Sequence, residues 1–72
     1  MKRIPIASEV LASVGYEQEE AILEIEFRNG RIYHYYAVPP SIYKALVASE
    51  SAGNYFNDEI KDRYPTEPIS RR

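Results

Sequence analysis

The chain has 72 residues, a net charge of -2 from nine Lys or Arg against eleven Asp or Glu, and no cysteine. That length makes a single domain over residues 1–72, and folding removes only roughly 60% of the surface the unfolded chain exposes, so its stability is marginal. The totals leave no room for a disulfide framework, a thiolate metal site or thiol redox chemistry, and they argue against a domain that grips duplex phosphates by bulk positive charge.

At the start of the chain Ile4-Pro5-Ile6-Ala7 is too short for a signal-peptide core or a membrane span. A soluble chain in a reducing, cytoplasmic compartment is expected, with no membrane partner. Residues 10–16 favour a first strand with Val10, Val14 and Tyr16 on one face, and Gly15 marks a bulge or a close backbone approach. After the polar turn Glu17-Gln18-Glu19-Glu20, Leu23-Glu24-Ile25-Glu26-Phe27 alternates with period two, which turns Leu23, Ile25 and Phe27 to a core and Glu24 and Glu26 away from it.

The turn Arg28-Asn29-Gly30-Arg31 admits two registers. A two-residue type I′ loop at Asn29-Gly30 places Ile32, His34 and Tyr36 on the core face. A three-residue loop with Gly30 as a left-handed G1 bulge pairs Phe27 with Arg31 and turns Tyr33 and Tyr35 inward instead. The second is favoured, because it keeps His34 out of the core and sets two aromatic rings beside Leu23 and Ile25. Val38-Pro39-Pro40-Ser41 ends the strand. A helix starting at Pro40 or Ser41 follows, with Ile42, Ala45 and Leu46 at helical spacing; Ser51-Ala52-Gly53-Asn54 interrupts it, and a second helix is expected over residues 55–62, docked by Phe56 and Ile60. Tyr64-Pro65 stops that helix and residues 66–72 read as a frayed tail. The predicted architecture is α+β: a three-stranded antiparallel β-meander followed by two helices packed on one face, with an ordered core over residues 8–64 and flexible termini.

Catalysis finds little footing: one histidine, three scattered glycines and no metal-ligand spacing point away from an enzyme, a metal site or a cofactor. Binding finds more. Seven tyrosines are present, with Tyr33, Tyr35 and Tyr36 close together. Aromatic rings on a sheet stack unpaired bases where Arg or Lys stand near enough to hold the phosphates. Arg28, Arg31, His34, Tyr36, Lys44 and Asn54 are the candidate RNA contacts, His34 and Tyr36 because the favoured register leaves them on the outer face. Asn54 and Asn57 stand where a helix start exposes free amides; the structural reading of the same segment has Ser51 capping the helix, Gly53 permitting close helix approach and Asn57 satisfying backbone near Val38-Pro39. The competing function is a protein-interaction or self-association module using an aromatic face or an edge strand.

The ordered set Val14-Gly15-Tyr16, residues 23–27, Asn29-Gly30, Tyr33-His34-Tyr35, Val38-Pro39 and Ser51-Ala52-Gly53-Asn54-Tyr55-Phe56-Asn57, then Ile60 and Tyr64, resembles the KTSC domain. That family is named for the carboxyl-terminal extension of some lysyl-tRNA synthetases and also occurs as small stand-alone bacterial proteins. Its Tyr-x-Tyr motif matches Tyr33 and Tyr35, and its Ser-x-Gly-x-Tyr-Phe-Asn signature matches Ser51, Gly53, Tyr55, Phe56 and Asn57. The resemblance implies a non-enzymatic module of unestablished role, with RNA as the partner proposed from its attachment to a synthetase.

Overall fold

The computed structural model describes residues 1–69. Five strands and two helices follow in the order β1 (Arg3–Pro5), β2 (Leu11–Glu17), β3 (Ile22–Phe27), β4 (Ile32–Tyr35), α1 (Pro40–Ala48), α2 (Ala52–Glu59) and β5 (Thr66–Ile69). The strands form one antiparallel sheet whose spatial order is the chain order, β1-β2-β3-β4-β5. The expected meander is thus the centre of a wider sheet. β1 and β5 lie where flexible termini were expected, and the tail expectation for residues 70–72 falls outside the described residues.

Both added strands are edges, and each contains a proline, Pro5 or Pro68. Ile6 donates inward to the Ala12 carbonyl at 3.0 Å, so the alternation of an antiparallel ladder turns the nitrogen of Pro5 away from β2. Likewise Tyr36 donates to the Pro65 carbonyl at 2.9 Å, which directs Pro68 outward. At an edge the missing N–H costs no ladder bond.

The β3–β4 hairpin adopts the three-residue register: the Phe27 N–H donates to the Arg31 carbonyl at 2.8 Å, Gly30 has φ 93°, and Ile25 faces Tyr33. The Asn29 Oδ1 accepts from the Arg31 N–H at 2.9 Å, closing the loop. One face of the sheet packs on both helices through Leu11, Val14, Leu23, Ile25, Tyr35, Val38, Leu46, Ala52, Phe56 and Ile60. In β2 the core position expected for Val10 belongs to Leu11: the register shifts between Leu11 and Ser13, and this irregularity leaves Val10 44% exposed while Leu11 is fully buried.

The second helix starts three residues before the expected position, at Ala52. Gly53 and Asn54 lie inside its first turn, opened by the Tyr55 N–H donating to the Ser51 carbonyl at 2.9 Å. Ser51 stands at the N-cap without a side-chain capping bond. Gly53 faces Ser8 and Val10 of the β1–β2 loop rather than α1, and a methyl group there would meet them at 3.4 Å, an ordinary contact. The backbone at Val38 is satisfied by Tyr16, whose hydroxyl donates to the Val38 carbonyl at 2.5 Å, and by the Val38 N–H donating to the Ala21 carbonyl at 2.9 Å; Asn57 is exposed.

Candidate functional site

On the face away from the helices one row of cross-strand partners spans all five strands: Arg3, Gly15, Glu24, His34 and Glu67. Gly15 is the gap in that row. A Cβ there would lie 2.7 Å from the Lys2 carbonyl oxygen and 3.1 Å from Arg3 Cγ, so the bare backbone lets the Arg3 side chain lie across β2 and reach β3. Arg3 Nη1 pairs with Glu24 Oε2, and Arg3 Nε donates to Ser13 Oγ at 2.9 Å; Ser13 in turn donates to Glu26 Oε1 at 2.8 Å. From the other side His34 Nε2 lies 2.7 Å from Glu24 Oε1. A carboxylate only accepts, so the histidine carries its proton on Nε2.

This makes Glu24 the buried centre of the outer face, with 8% of its surface exposed. Burial pushes its carboxyl up, but the hydrogen bonds from His34 and Arg3 outweigh that and hold it below the usual carboxylate range. Tyr36 continues the network: its hydroxyl donates to Glu67 Oε1 at 2.6 Å, which raises the phenol above its ordinary value, and its ring meets His34 edge-on at 6.1 Å. The polar groups of this face are thus engaged with one another.

The candidate RNA residues fall in separate places. Tyr35 is buried, and Tyr33 is half-buried, edge-on to Phe27 on the helix side, so the two rings do not form a shared stacking platform. His34 and Tyr36 share the outer face, as the favoured register requires, within a field that includes Glu24, Glu26 and Glu67. Arg28 folds back on the β1–β2 loop, donating from Nε to the Ser8 carbonyl and from Nη2 to the Ile6 carbonyl, both at 2.9 Å. Arg31 borders a depression of about 440 Å3 with Asn29, Tyr33, Pro68 and Ile69. Lys44 lies on α1 beside Tyr16 and Tyr43, whose rings stack at 5.1 Å and 11°. Asn54 stands in the first turn of α2. Arg28, Arg31 and Lys44 thus border different surfaces.

Ser51, Gly53, Asn54 and Asn57 do come together, lining a cleft of about 280 Å3 with Ser8, Glu9, Val10 and Glu50. A second cleft of about 310 Å3, between β1 and the end of α1, is lined by Ile4, Ile6, Leu46 and Val47. The two share Ala7, Glu50 and Ala52, and so form one groove. Its apolar residues were missed in the sequence; the only signal was the short run Ile4-Pro5-Ile6, which reads as a terminus. Among the described residues no group of three His, Asp or Glu side chains is arranged to hold a metal ion, and no helix is long and apolar enough to cross a membrane.

The model of the KTSC domain family matches residues 7–64. The chain belongs to the KTSC domain family. A protein of Stutzerimonas stutzeri named only as uncharacterized is 44% identical over 64 residues, covering 89% of this chain and 90% of that one. A lysine–tRNA ligase of Nostoc punctiforme is 39% identical over 61 residues, which are 85% of this chain but 11% of the ligase. The crystal structure of a KTSC domain protein from Yersinia pestis superposes with a TM-score of 0.94 at 30% identity, covering 96% of this chain and 97% of that one. The small stand-alone proteins among these relatives are named only as uncharacterized or by the domain itself. Within the KTSC signature the roles divide: Phe56 is buried core and Tyr55 packs against it, whereas Ser51, Gly53 and Asn57 line the groove.

Proposed function

We propose that this KTSC domain is a non-enzymatic interaction module that holds a segment of a protein partner. The observation that carries this reading is where the apolar surface lies. Of the large hydrophobic residues left exposed among the described residues, Ile4, Val10 and Val47, at 43%, 44% and 36%, line the one groove, and Met1 is the remaining one. Exposed apolar side chains scattered singly are ordinary, whereas several sharing a concave surface mark a contact site.

A second reading, contact with RNA, draws support from the ligase relatives, whose names place a similar segment in proteins that act on tRNA. The acidic outer face and the buried Tyr35 weigh against it, as does the division of the basic residues: Arg31 with Tyr33, and Lys44 with Tyr16 and Tyr43, each set a single cation beside aromatic rings in separate depressions, whereas a single-strand track needs several of both on one surface. Pairing of sheet edges into a dimer is opposed by the outward prolines.

Two measurements on the same labelled protein separate the readings. The domain, immobilised, selects from a phage-displayed random peptide library, and a short mixed-sequence RNA is titrated at low salt while backbone amides are followed by NMR. Enriched peptides that shift amides along the groove, with no saturable response to RNA, are expected. Saturable shifts around Arg28, Arg31, His34, Tyr36, Lys44 or Asn54 that weaken steeply with salt, together with no enriched peptide, overturn the proposal.

A further inference from the structure

Resting on that reading, we infer that the groove selects a short segment in which an aliphatic side chain lies within a few residues of a Lys or Arg. The groove is chemically two-sided. Its β1–α1 half presents the aliphatic walls of Ile4, Ile6 and Val47. The other half, where α1 meets α2, presents Glu9 and Glu50 with the neutral polar groups of Ser51, Asn54 and Asn57 around the exposed side chain of Val10.

Neither half is lined by a Lys or an Arg. Glu9 and Glu50 are both exposed and make no ion pair among the described residues, unlike Glu24 and Glu67, whose carboxylates are already engaged. Arg28 is held beside the groove on the Ser8 and Ile6 carbonyls, but two exposed carboxylates against that one guanidinium still favour a cationic group over an anionic one, which sets the sign of the partner. The last turn of α1 contains no basic side chain, so the negative end of that helix adds to the same field beside Glu50. Glu50 lines both halves, so the aliphatic and cationic positions of the partner are neighbours. Pro5 breaks the row of donors on the free edge of β1, so side-chain pockets rather than a continuous backbone ladder decide what is held.

The peptides enriched from the random library are sequenced, the consensus is synthesised, and its binding to the wild type, Val47→Glu and Glu50→Lys is measured by calorimetry. Both positions are exposed, and an unchanged amide spectrum away from the groove verifies that each variant is folded. The consensus is expected to pair an aliphatic residue with Lys or Arg. Replacing that Lys or Arg with Glu is expected to weaken binding about tenfold or more. Val47→Glu is expected to weaken the aliphatic contact, and Glu50→Lys, which leaves Glu9 balanced by the new cation, to abolish the preference for the basic peptide over the Glu-substituted one. A consensus without a basic residue, or one whose affinity ignores both variants, overturns this inference while leaving a peptide-binding module intact. No enrichment at all, with saturable binding of RNA, removes the inference and the module together.

Discussion

Glu24 sits in the central strand with its carboxylate between a guanidinium and an imidazole, and the neighbours that bury it also satisfy it. A carboxylate in that position is stabilising only while ionised. Because the folded carboxyl is held below its ordinary range, its contribution is complete above that range and is lost as the pH falls through the lowered folded value. Glu24→Gln is therefore expected to cost about 1–2 kcal/mol near neutral pH, the lower part of the span for charged hydrogen bonds because Arg3 and His34 remain partly solvated. Urea unfolding of both proteins across the acid range checks this: the gap between them should close as the pH drops. A gap that stays constant into acid would show that the lost interaction does not depend on the charge. Alternation in residues 23–27 already turned Glu24 outward. That it is buried there was not legible, because Arg3 and His34 stand 21 and 10 residues away in the chain.

Among the elements, the central hairpin was readable and the edges were not, for one physical reason. The β3 strand alternates cleanly, and although Asn29-Gly30 suits either loop, only the three-residue register keeps His34 out of the core and sets Tyr33 and Tyr35 beside Leu23 and Ile25, so the inward tyrosines could be read. β1 and β5 bury almost nothing, and without a buried face there is no hydrophobic period to read. The Val10 and Leu11 exchange has the same origin, since a register shift reverses the inward side without altering composition. The groove inherits this: one of its walls is β1, so the sequence showed its motif residues without showing that they face apolar ones. Two expectations belong at this scale. Gly15→Ala places a methyl group against the Lys2 carbonyl, so β1 must shift; about 1–3 kcal/mol of destabilisation, with hydrogen exchange accelerated in residues 3–5 ahead of β3 and β4, is the expected pattern. Pro5→Thr combined with Pro68→Thr restores an outward N–H at each edge, so an edge-to-edge contact between two copies gains one donor from each, and at about 1 kcal/mol per hydrogen bond self-association by sedimentation should strengthen roughly thirtyfold. A strictly monomeric double variant would mean that something besides proline guards the edges.

For the molecule as a whole, the decisive residue is Phe56, the one aromatic ring of α2 that meets two strands: it packs edge-on against Phe27 of β3 at 5.4 Å and Tyr35 of β4 at 5.6 Å. Tyr35 belongs to the Tyr-x-Tyr motif and Phe56 to the Ser-x-Gly-x-Tyr-Phe-Asn signature, so the two most recognisable parts of the sequence touch in the core. Such a contact holds α2 on the sheet and thereby fixes the end of the groove that α2 forms. At 0.05–0.15 kcal/mol per residue, a chain of this size has a total stability of roughly 4–11 kcal/mol. Removing a buried phenyl ring costs about 3–5 kcal/mol. Phe56→Ala should thus leave a domain near the edge of folding at 25 °C, seen as loss of a cooperative thermal transition or a large fall in its midpoint. Phe56→Leu keeps much of the volume and should cost about 1 kcal/mol while retaining peptide binding. If Phe56→Ala unfolded cooperatively at the wild-type midpoint, α2 would be held by its other contacts, and the signature would have to be explained by the groove it lines rather than by the core it completes.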